Sequence, residues 1–205
     1  EMNSPLHIAC HYRLPQQILT FLVENNSTAL CTVSKQGYLP LHFLAGNPNC
    51  TADDLRYLVN MMPASVEAAT WNGTTLMHLV SLCSKDAVPS LKYLHEQCPQ
   101  LISRARVHDS LPLHSACRAN ASLELIKFLV KIHPPSLSAY ESKGRLPFHR
   151  SCLVATNPSV IHFFIGKLEG SVLPRTLDGV HPVFLACQNC NDASRLGVLL
   201  TLVQH

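Results

Sequence analysis

Pro112-Leu113-His114-Ser115-Ala116-Cys117 is one of six similar hexapeptides in this chain of 205 residues. The other five copies are Pro5-Leu6-His7-Ile8-Ala9-Cys10, Pro40-Leu41-His42-Phe43-Leu44-Ala45, Leu76-Met77-His78-Leu79-Val80-Ser81, Pro147-Phe148-His149-Arg150-Ser151-Cys152 and Pro182-Val183-Phe184-Leu185-Ala186-Cys187. Their third positions, 7, 42, 78, 114, 149 and 184, are 35 or 36 residues apart. A fixed period of this length predicts a solenoid, in which each unit buries its apolar face against its neighbours.

Each period reads as a turn followed by two helices, most clearly around the fourth copy. Pro112 fits the first position of a short helix, where the missing N–H is not needed. Ser122 is a good N-cap for a second, amphipathic helix, which the two prolines at 134 and 135 end. We expect an extended stretch at 136–140, then a turn at Gly144, where glycine tolerates positive φ. The sequence therefore predicts an all-α protein.

The same signals recur in the other periods. Second helices are predicted to begin at a cap or a proline, in segments that start at Thr51, Val88, Asn157 and Asp192. Turns are predicted around Gly37, Gly73, Asp109 and Gly179. Between the second helix and the next turn, several loops carry a proline and an apolar residue, as at 63–66, 99–101 and 134–137, and we expect the apolar residue to pack against the stack.

The cysteine pattern favours free thiols over a disulfide framework. Four of the nine cysteines occupy the last position of the hexapeptide, where two other repeats have Ala45 and Ser81; they are Cys10, Cys117, Cys152 and Cys187. A position that accepts Cys, Ala or Ser selects a small side chain at a tight packing point. We therefore expect these thiols to be buried and reduced, and the protein to be intracellular, in the cytoplasm.

The charge of the chain argues against a nucleic-acid partner, and its hydropathy argues against a membrane-spanning helix. A net charge of +3 with 14% charged residues is too small and too dispersed to indicate a nucleic acid. No apolar run approaches the roughly 18 residues of a membrane-spanning helix. The start of the chain also lacks the basic and apolar pattern of a secretory signal.

Metal and catalytic sites are not predicted. Histidine and cysteine stand three apart at 7/10, 114/117 and 149/152, but pairs on neighbouring helices would be about 8–10 Å apart, too far for one metal. Cys187 and Cys190 form a single C-x-x-C, for which packing is the leading interpretation and a redox or metal role the alternative. Five of the twelve histidines belong to the motif and the other seven are scattered along the chain. Because no Gly-rich phosphate loop is present either, we expect no catalytic residue, cofactor or small-molecule substrate.

The hexapeptide, its spacing, the preceding glycine turn and the second amphipathic helix resemble the ankyrin-repeat signature over all 205 residues. The resemblance implies an α-solenoid of stacked helix-turn-helix repeats with projecting hairpin-like turns. It implies one domain, 1–205, that is part of a longer array and has about six repeats: 1–33, 34–69, 70–105, 106–140, 141–175 and 176–205.

Two departures mark a divergent, long-loop form of the family. The repeats are 35 to 36 residues long because the loop after the second helix is longer than the common form. The family usually has a threonine before the proline, where its hydroxyl helps to hold the motif histidine. Three repeats have leucine there instead, at Leu39, Leu111 and Leu146, and leucine cannot make that hydrogen bond.

Proteins of this family bind other proteins along a concave face, which is built from the turns and the exposed ends of the first helices. The resemblance therefore assigns candidate partner-binding residues at Lys35, Tyr38, Trp71, Asn72, His108, Arg118, Lys143, Arg145 and Arg150. Two alternatives stay open, since Trp71 could pack on the neighbouring turn and the basic residues could form an ordinary solvated face. If the basic residues act together, the partner has an acidic face.

The sequence thus predicts a non-catalytic scaffold that binds a protein or peptide partner on its concave face. The alternative is a regulatory or targeting module fused to a catalytic or membrane domain outside these residues, which the flanking sequence would reveal. A nucleic-acid-binding solenoid would need basic residues aligned along one face, and the charges are too sparse to favour it.

Overall fold

The computed structural model describes residues 3–83, 87–106, 108–154, 157–168, 173–188 and 196–203. These residues form twelve α-helices and four short 3-10 helices, with no β-strand among them. The prediction of an all-α fold is confirmed. The chain divides into two compact units, Glu1–Val107 and His108–His205, which are described separately. The single array of six repeats stays a prediction.

Unit one, Glu1–Val107, contains three helix pairs: α1 (Pro5–His11) with α2 (Gln16–Asn25), α3 (Pro40–Ala45) with α4 (Ala52–Met61), and α5 (Leu76–Cys83) with α6 (Ala87–Gln97). The first helices pack side by side in the order α1, α3, α5, and α4 packs against α6. Each second helix is followed by a short 3-10 helix, at Ser27–Cys31, Pro63–Glu67 and Pro99–Ser103.

Unit two, His108–His205, repeats this plan with α7 (Pro112–Arg118) and α8 (Leu123–Ile132), α9 (Pro147–Val154) and α10 (Pro158–Ile165), and α11 (Pro182–Cys187) and α12 (Leu196–Val203). The first helices form a row in the order α7, α9, α11, and the second helices form a row in the order α8, α10, α12. A 3-10 helix at Pro134–Ser138 follows α8.

The core of each unit is built from the second position of the hexapeptide, which faces the neighbouring helices. These side chains are at most 3% exposed: Leu6, Leu41 and Met77 in unit one, and Leu113 and Phe148 in unit two. Burial of one such side chain stabilises the fold by about 1.5–3 kcal/mol. Because the helices that cover each of these side chains belong to adjacent repeats, a single repeat could not bury them alone.

Three second helices begin at the predicted caps. The Thr51 side chain accepts from the Asp54 N–H (3.3 Å) while the Asp54 carboxylate accepts from the Thr51 N–H (2.9 Å), which is a capping box. Ser122 and Asn157 cap α8 and α10 with their side-chain oxygens. The start predicted at Asp192 lies outside the described residues.

The extended stretch predicted at 136–140 is wrong over its first three residues, which belong to the 3-10 helix Pro134–Ser138. The Ser136 N–H (3.1 Å) and hydroxyl (2.6 Å) both donate to the carbonyl of His133, which tightens the chain into this turn. The corresponding segments of unit one bury Val66 and Leu101. The prediction that the loops pack their own apolar residues is therefore confirmed at these positions.

Candidate partner-binding surface

Three motif histidines bind a backbone carbonyl at the next turn or just before it. The ring Nε2 donates from His7 to Tyr38 (3.0 Å), from His42 to Ala68 (3.3 Å) and from His149 to Pro174 (2.8 Å). Tyr38 belongs to the following repeat, whereas Ala68 and Pro174 end the loop of the histidine's own repeat, ahead of the next turn. These hydrogen bonds fix the position of the following backbone segment relative to the first helix.

The other ring nitrogen explains why leucine is tolerated before the proline. Nδ1 accepts from the backbone N–H of that residue: Leu39 to His42 (3.0 Å), Leu111 to His114 (3.2 Å) and Leu146 to His149 (3.0 Å). Since Nδ1 accepts, Nε2 carries the proton that the carbonyl needs. A threonine hydroxyl adds to this contact, as Thr75 does with His78 (2.8 Å), but the backbone alone suffices.

Burial keeps these histidines neutral. It lowers the pKa of His42 to about 4 and lowers the pKa of His114 and His149 in the same direction, because a charged imidazolium is poorly solvated in the interior. Backbone carbonyls that accept from the ring oppose the shift only in part. Near neutral pH these uncharged rings connect backbone groups through hydrogen bonds.

Backbone hydrogen bonds close the turns and connect neighbouring turns within each unit. In unit one the Gly37 N–H donates to Ser34 (2.9 Å), and the Trp71 N–H of the next turn donates to Gln36 (3.3 Å). In unit two the Ser142 N–H donates to the carbonyl of His108 (2.9 Å). The turn tips in each unit therefore form a fixed edge beside the row of first helices.

Trp71 packs against the neighbouring turn and is also largely exposed. Its indole lies so close to Gly37 that a Cβ at that position, which has φ +79°, would be 2.5 Å from the indole Cδ1. Even so, 73% of the residue is exposed. The Cγ–Cδ1 edge of the indole therefore lies against the neighbouring turn, while most of the residue is open to solvent. Leu177 lies against Gly144 in the same way in unit two and is 70% exposed.

A groove in unit one lies between the turns and the first helices. Tyr38 and Phe43 pack edge to face with ring centroids 5.8 Å apart, and Phe43 also contacts the rings of His7 and His11. One part of the groove has a volume of about 220 Å³ and is lined by His11, Tyr38 and Phe43 together with Leu79 and Cys83, among others. Its fixed aromatic floor can bind an apolar side chain.

The remaining sequence candidates fall into two groups. Lys35, Lys143, His108 and Arg118 are exposed, and Arg145 is partly exposed. The Asn72 backbone is also exposed, but its side-chain oxygen accepts from Thr70 and Thr74 and so serves the turn itself.

Arg150 differs from the other basic candidates. Its guanidinium lies 2.6 Å from the Glu141 carboxylate, and the two side chains are 20% and 4% exposed. This ion pair joins α9 to the preceding turn. Removing either partner would leave a buried charge unpaired, which would lower the stability of the fold. Arg150 therefore stabilises the surface from within and is not one of its exposed residues.

Phe43, Leu79 and His11 line the groove, although the sequence analysis did not select them. Phe43 and Leu79 occupy the fourth position of the hexapeptide, which is also apolar at Ile8 and is Ser115 and Arg150 in later repeats. This position is apolar in the first three repeats, polar in the fourth and fifth, and apolar again at Leu185, and the apolar run over the first three repeats is the signal that could have identified this face. Ile8 is 49% exposed, in keeping with a surface position.

The cysteines of the repeated position are buried in three repeats of the four. Cys10, Cys117 and Cys152 are buried, whereas Cys187 is exposed, so the expectation of burial is wrong there. Among the described residues no further first helix follows α11, which leaves the Cys187 side of that helix open. Cys190, the second cysteine of the C-x-x-C, lies outside the described residues.

We expect the buried thiols to react far more slowly than the exposed Cys31. Burial raises the pKa of Cys10 and Cys117 to about 12 and raises that of Cys152 as well, so at pH 8 only about one thiol in 10⁴ would be a thiolate even if a reagent reached it. Alkylation of native protein with iodoacetamide, followed by peptide mass spectrometry, should show at least a hundredfold difference from Cys31. Equal rates would reject the packing role.

Two further chemical features bear on the function. None of the helices in the described ranges is long and apolar enough to cross a membrane. Within the same residues, no group of three or more His, Cys, Asp or Glu side chains is placed to hold a metal ion.

Comparisons with known proteins bear on the fold. No protein-family model matches the chain, and no curated protein matches it in sequence. In structure, 396 solved chains match, so the fold alone does not single out a function. One is a chain from the structure of the Bd0816 predatory endopeptidase from Bdellovibrio bacteriovorus in complex with the immunity protein Bd3460. It aligns with a TM-score of 0.73 over 100% of this chain and 99% of that chain, at 16% identity, a likeness that shows a shared fold.

Proposed function

We propose that the chain is a divergent ankyrin-repeat protein that works inside the cell and binds a protein or peptide on its turn and first-helix surface, without catalysing a reaction. The observation that carries the proposal is Trp71, which packs against Gly37 along one edge of its indole and is 73% exposed. Exposed aromatic residues have few rotatable bonds, so they lose little conformational entropy on binding, and they dominate interface energetics. The aromatic groove beside Tyr38 supplies a surface of the same character.

Two further observations support binding over catalysis. The histidines of the motif, which would be the natural general bases, are buried, and both ring nitrogens of His42 and of His149 bond to the backbone. The structural neighbour comes from a complex of two proteins, in keeping with a fold that serves protein recognition. The exposed Lys35, Lys143 and Arg145 favour a partner with acidic groups.

We expect Trp71→Ala, Tyr38→Ala and Arg145→Ala to weaken ligand binding. Loss of an aromatic or arginine anchor typically costs about 2 kcal/mol, or roughly thirtyfold in Kd. Ligands can be obtained by selecting a random peptide display library against the whole chain, and their affinities measured by calorimetry. Melting temperatures of the variants then separate lost contacts from lost stability.

Matched controls lie on the second helices. Phe21→Ala removes an aromatic that is 63% exposed on α2, and Glu124→Ala and Lys127→Ala remove exposed charges on α8. All three should leave affinity unchanged. If these controls weaken binding and the first three variants do not, the interface lies on the second helices and the proposed surface is wrong.

A further inference from the structure

The groove of unit one consists of two depressions that share one aromatic wall. The first, of about 540 Å³, is lined by His7, Ile8, His11, Tyr12 and Phe43, among others. The second, of about 220 Å³, lies between Phe43 and the side chains of Tyr38 and Leu79. His11 and Phe43 line both depressions, so the Phe43 ring forms a ridge between two neighbouring cavities.

The ridge is fixed in place. The Phe43 ring has edge-to-face contacts with His7 at 5.2 Å, with Tyr38 at 5.8 Å and with His11 at 6.1 Å between ring centroids. The imidazole of His7 is itself hydrogen-bonded to the Tyr38 carbonyl. A ligand would therefore meet a surface that is already organised and would not have to order it.

The spacing of the two depressions fits an extended chain. The Phe43 ring lines both depressions, and a side chain in contact with either side of a ring lies about 3.5–4 Å from it, so two side chains that straddle the ring would be about 7–8 Å apart. In an extended peptide, side chains two residues apart point to the same side and are about 6.6 Å apart. Two apolar side chains at alternate positions can thus enter one depression each and straddle Phe43.

Charge on this surface favours a carboxylate in the ligand. Residues 5–11, 34–38, 40–46, 70–74 and 76–83, which form the first helices and turns of unit one, contain Lys35 and no Asp or Glu. The described carboxylates of the unit belong to the second helices and the 3-10 helices, at Glu24, Asp53, Asp54, Glu67 and Glu96. Among these first helices and turns a ligand carboxylate would meet no like charge, and Lys35 is the cation available to pair with it.

The helix ends set the direction of the ligand. Helices α1, α3 and α5 end near His11, Gly46 and Cys83, where their last carbonyl groups repel an anion. The turn that carries Gln36 and the exposed Lys35 lies at the opposite end of the α3 helix. The carboxylate of the ligand therefore belongs at the turn side of the groove.

We propose that the groove of unit one binds an extended peptide that places two apolar side chains, two residues apart, on either side of Phe43 and a carboxylate beside Lys35. This inference rests on the proposed binding function and narrows its ligand from any protein or peptide to one pattern. The pattern can be tested directly, because the chain contains one tryptophan, Trp71, whose backbone bonds to Gln36 at the edge of the groove.

The test uses blocked octapeptides of serine and threonine with two leucines, followed by glutamate. The leucines stand two apart in the test peptide, and they are adjacent or four apart in the comparison peptides. A further peptide replaces glutamate with glutamine. Emission of Trp71 reports binding to the full chain. We expect the peptide with leucines two apart and glutamate to bind at least tenfold more tightly than each of the others.

Matched variants assign the contacts. Phe43→Ala should weaken the best peptide at least tenfold while Phe21→Ala does not. Lys35→Glu should weaken the glutamate peptide and not the glutamine peptide, and Lys92→Glu, on an exposed position of α6, should change neither. Melting curves confirm that each variant is folded. If no peptide binds at millimolar concentration, or Phe43→Ala binds like the native protein, the inference is wrong.

Different results would contradict the proposed binding function and the proposed ligand of the groove. If display-selected ligands require Trp71 or Arg145 but carry no alternate apolar pair and ignore Phe43, the binding function holds and this groove assignment does not. Preference for leucines four apart would point to a helical ligand and would also overturn the proposal of an extended peptide. Ligands that depend only on the second helices would overturn both.

Discussion

Lowering the pH from 7 to 5 should reduce the free energy of unfolding by roughly 2 kcal/mol through His42 alone, and by more once His114 and His149 are included. The effect comes from three rings that the fold buries in neutral form. Burial lowers the pKa of His42 from about 6.5 in an exposed state to about 4, and those of the other two are lowered as well.

The direction of the effect follows from proton binding. Between pH 6.5 and pH 4 the unfolded chain binds a proton at His42 and the folded chain does not. Protonation therefore favours unfolding. The stabilisation is complete above about pH 6.5, and it is lost progressively as the pH falls toward about 4. Carboxylates such as Asp54, whose pKa the fold lowers, matter only below this window.

Urea unfolding between pH 5 and pH 7 at constant ionic strength measures the prediction. His42→Gln should be less stable than the native chain at pH 7, because its bonds to Leu39 and Ala68 are lost or weakened, but its stability should change by about 2 kcal/mol less over this range. His162→Gln removes an exposed histidine and should keep the native pH dependence. An NMR titration of His42 in the native chain gives a direct check: a ring that titrates near pH 6.5 contradicts the account.

The regular parts of the fold could be predicted because their signals are local. Pro112 and Pro147 each stand at the first position of a helix, and Thr51 and Ser122 cap helices with their own side chains. Such contacts span three or four residues, so sequence spacing suffices to find them. The 3-10 helix at Pro134–Ser138 was missed because two consecutive prolines also suit an extended chain. The choice depends on the Ser136 hydroxyl reaching back to the carbonyl of His133.

The candidate surface was predictable only in part, because its important contacts join different repeats. Trp71 was selected because of its residue type, but its packing against Gly37 depends on the preceding turn. Arg150 reads as an exposed cation at a variable motif position, yet the preceding turn brings the buried Glu141 to it. Phe43 reads as one more apolar core residue, and only the packing of three other rings around it shows that it forms a ridge.

Phe148→Ala should cost about 3–5 kcal/mol of stability in unit two, the range typical of a fully buried aromatic. Phe148 is 1% exposed and packs against the ring of Phe164 at 6.0 Å between centroids. Removing the ring leaves a cavity that the flanking helices cannot fill. His149 accepts from the Leu146 N–H and donates to the Pro174 carbonyl, and these hydrogen bonds fix the position of α9.

At Phe148 the loss in free energy of unfolding should depend on the volume of the side chain that is removed and not on its aromatic character. Leu6, Leu41 and Leu113 occupy the same motif position in other repeats, so Phe148→Leu keeps a suitable shape and should lose no more than about 1.5 kcal/mol. Phe184→Ala is the matched control in unit two, since this residue is 61% exposed and should change stability by less than about 0.5 kcal/mol. Urea unfolding followed by circular dichroism ranks the three variants. If Phe148→Ala were as stable as Phe184→Ala, the second position of the hexapeptide would not be the core of this unit, and the packing scheme of alternating helix rows would have to be abandoned.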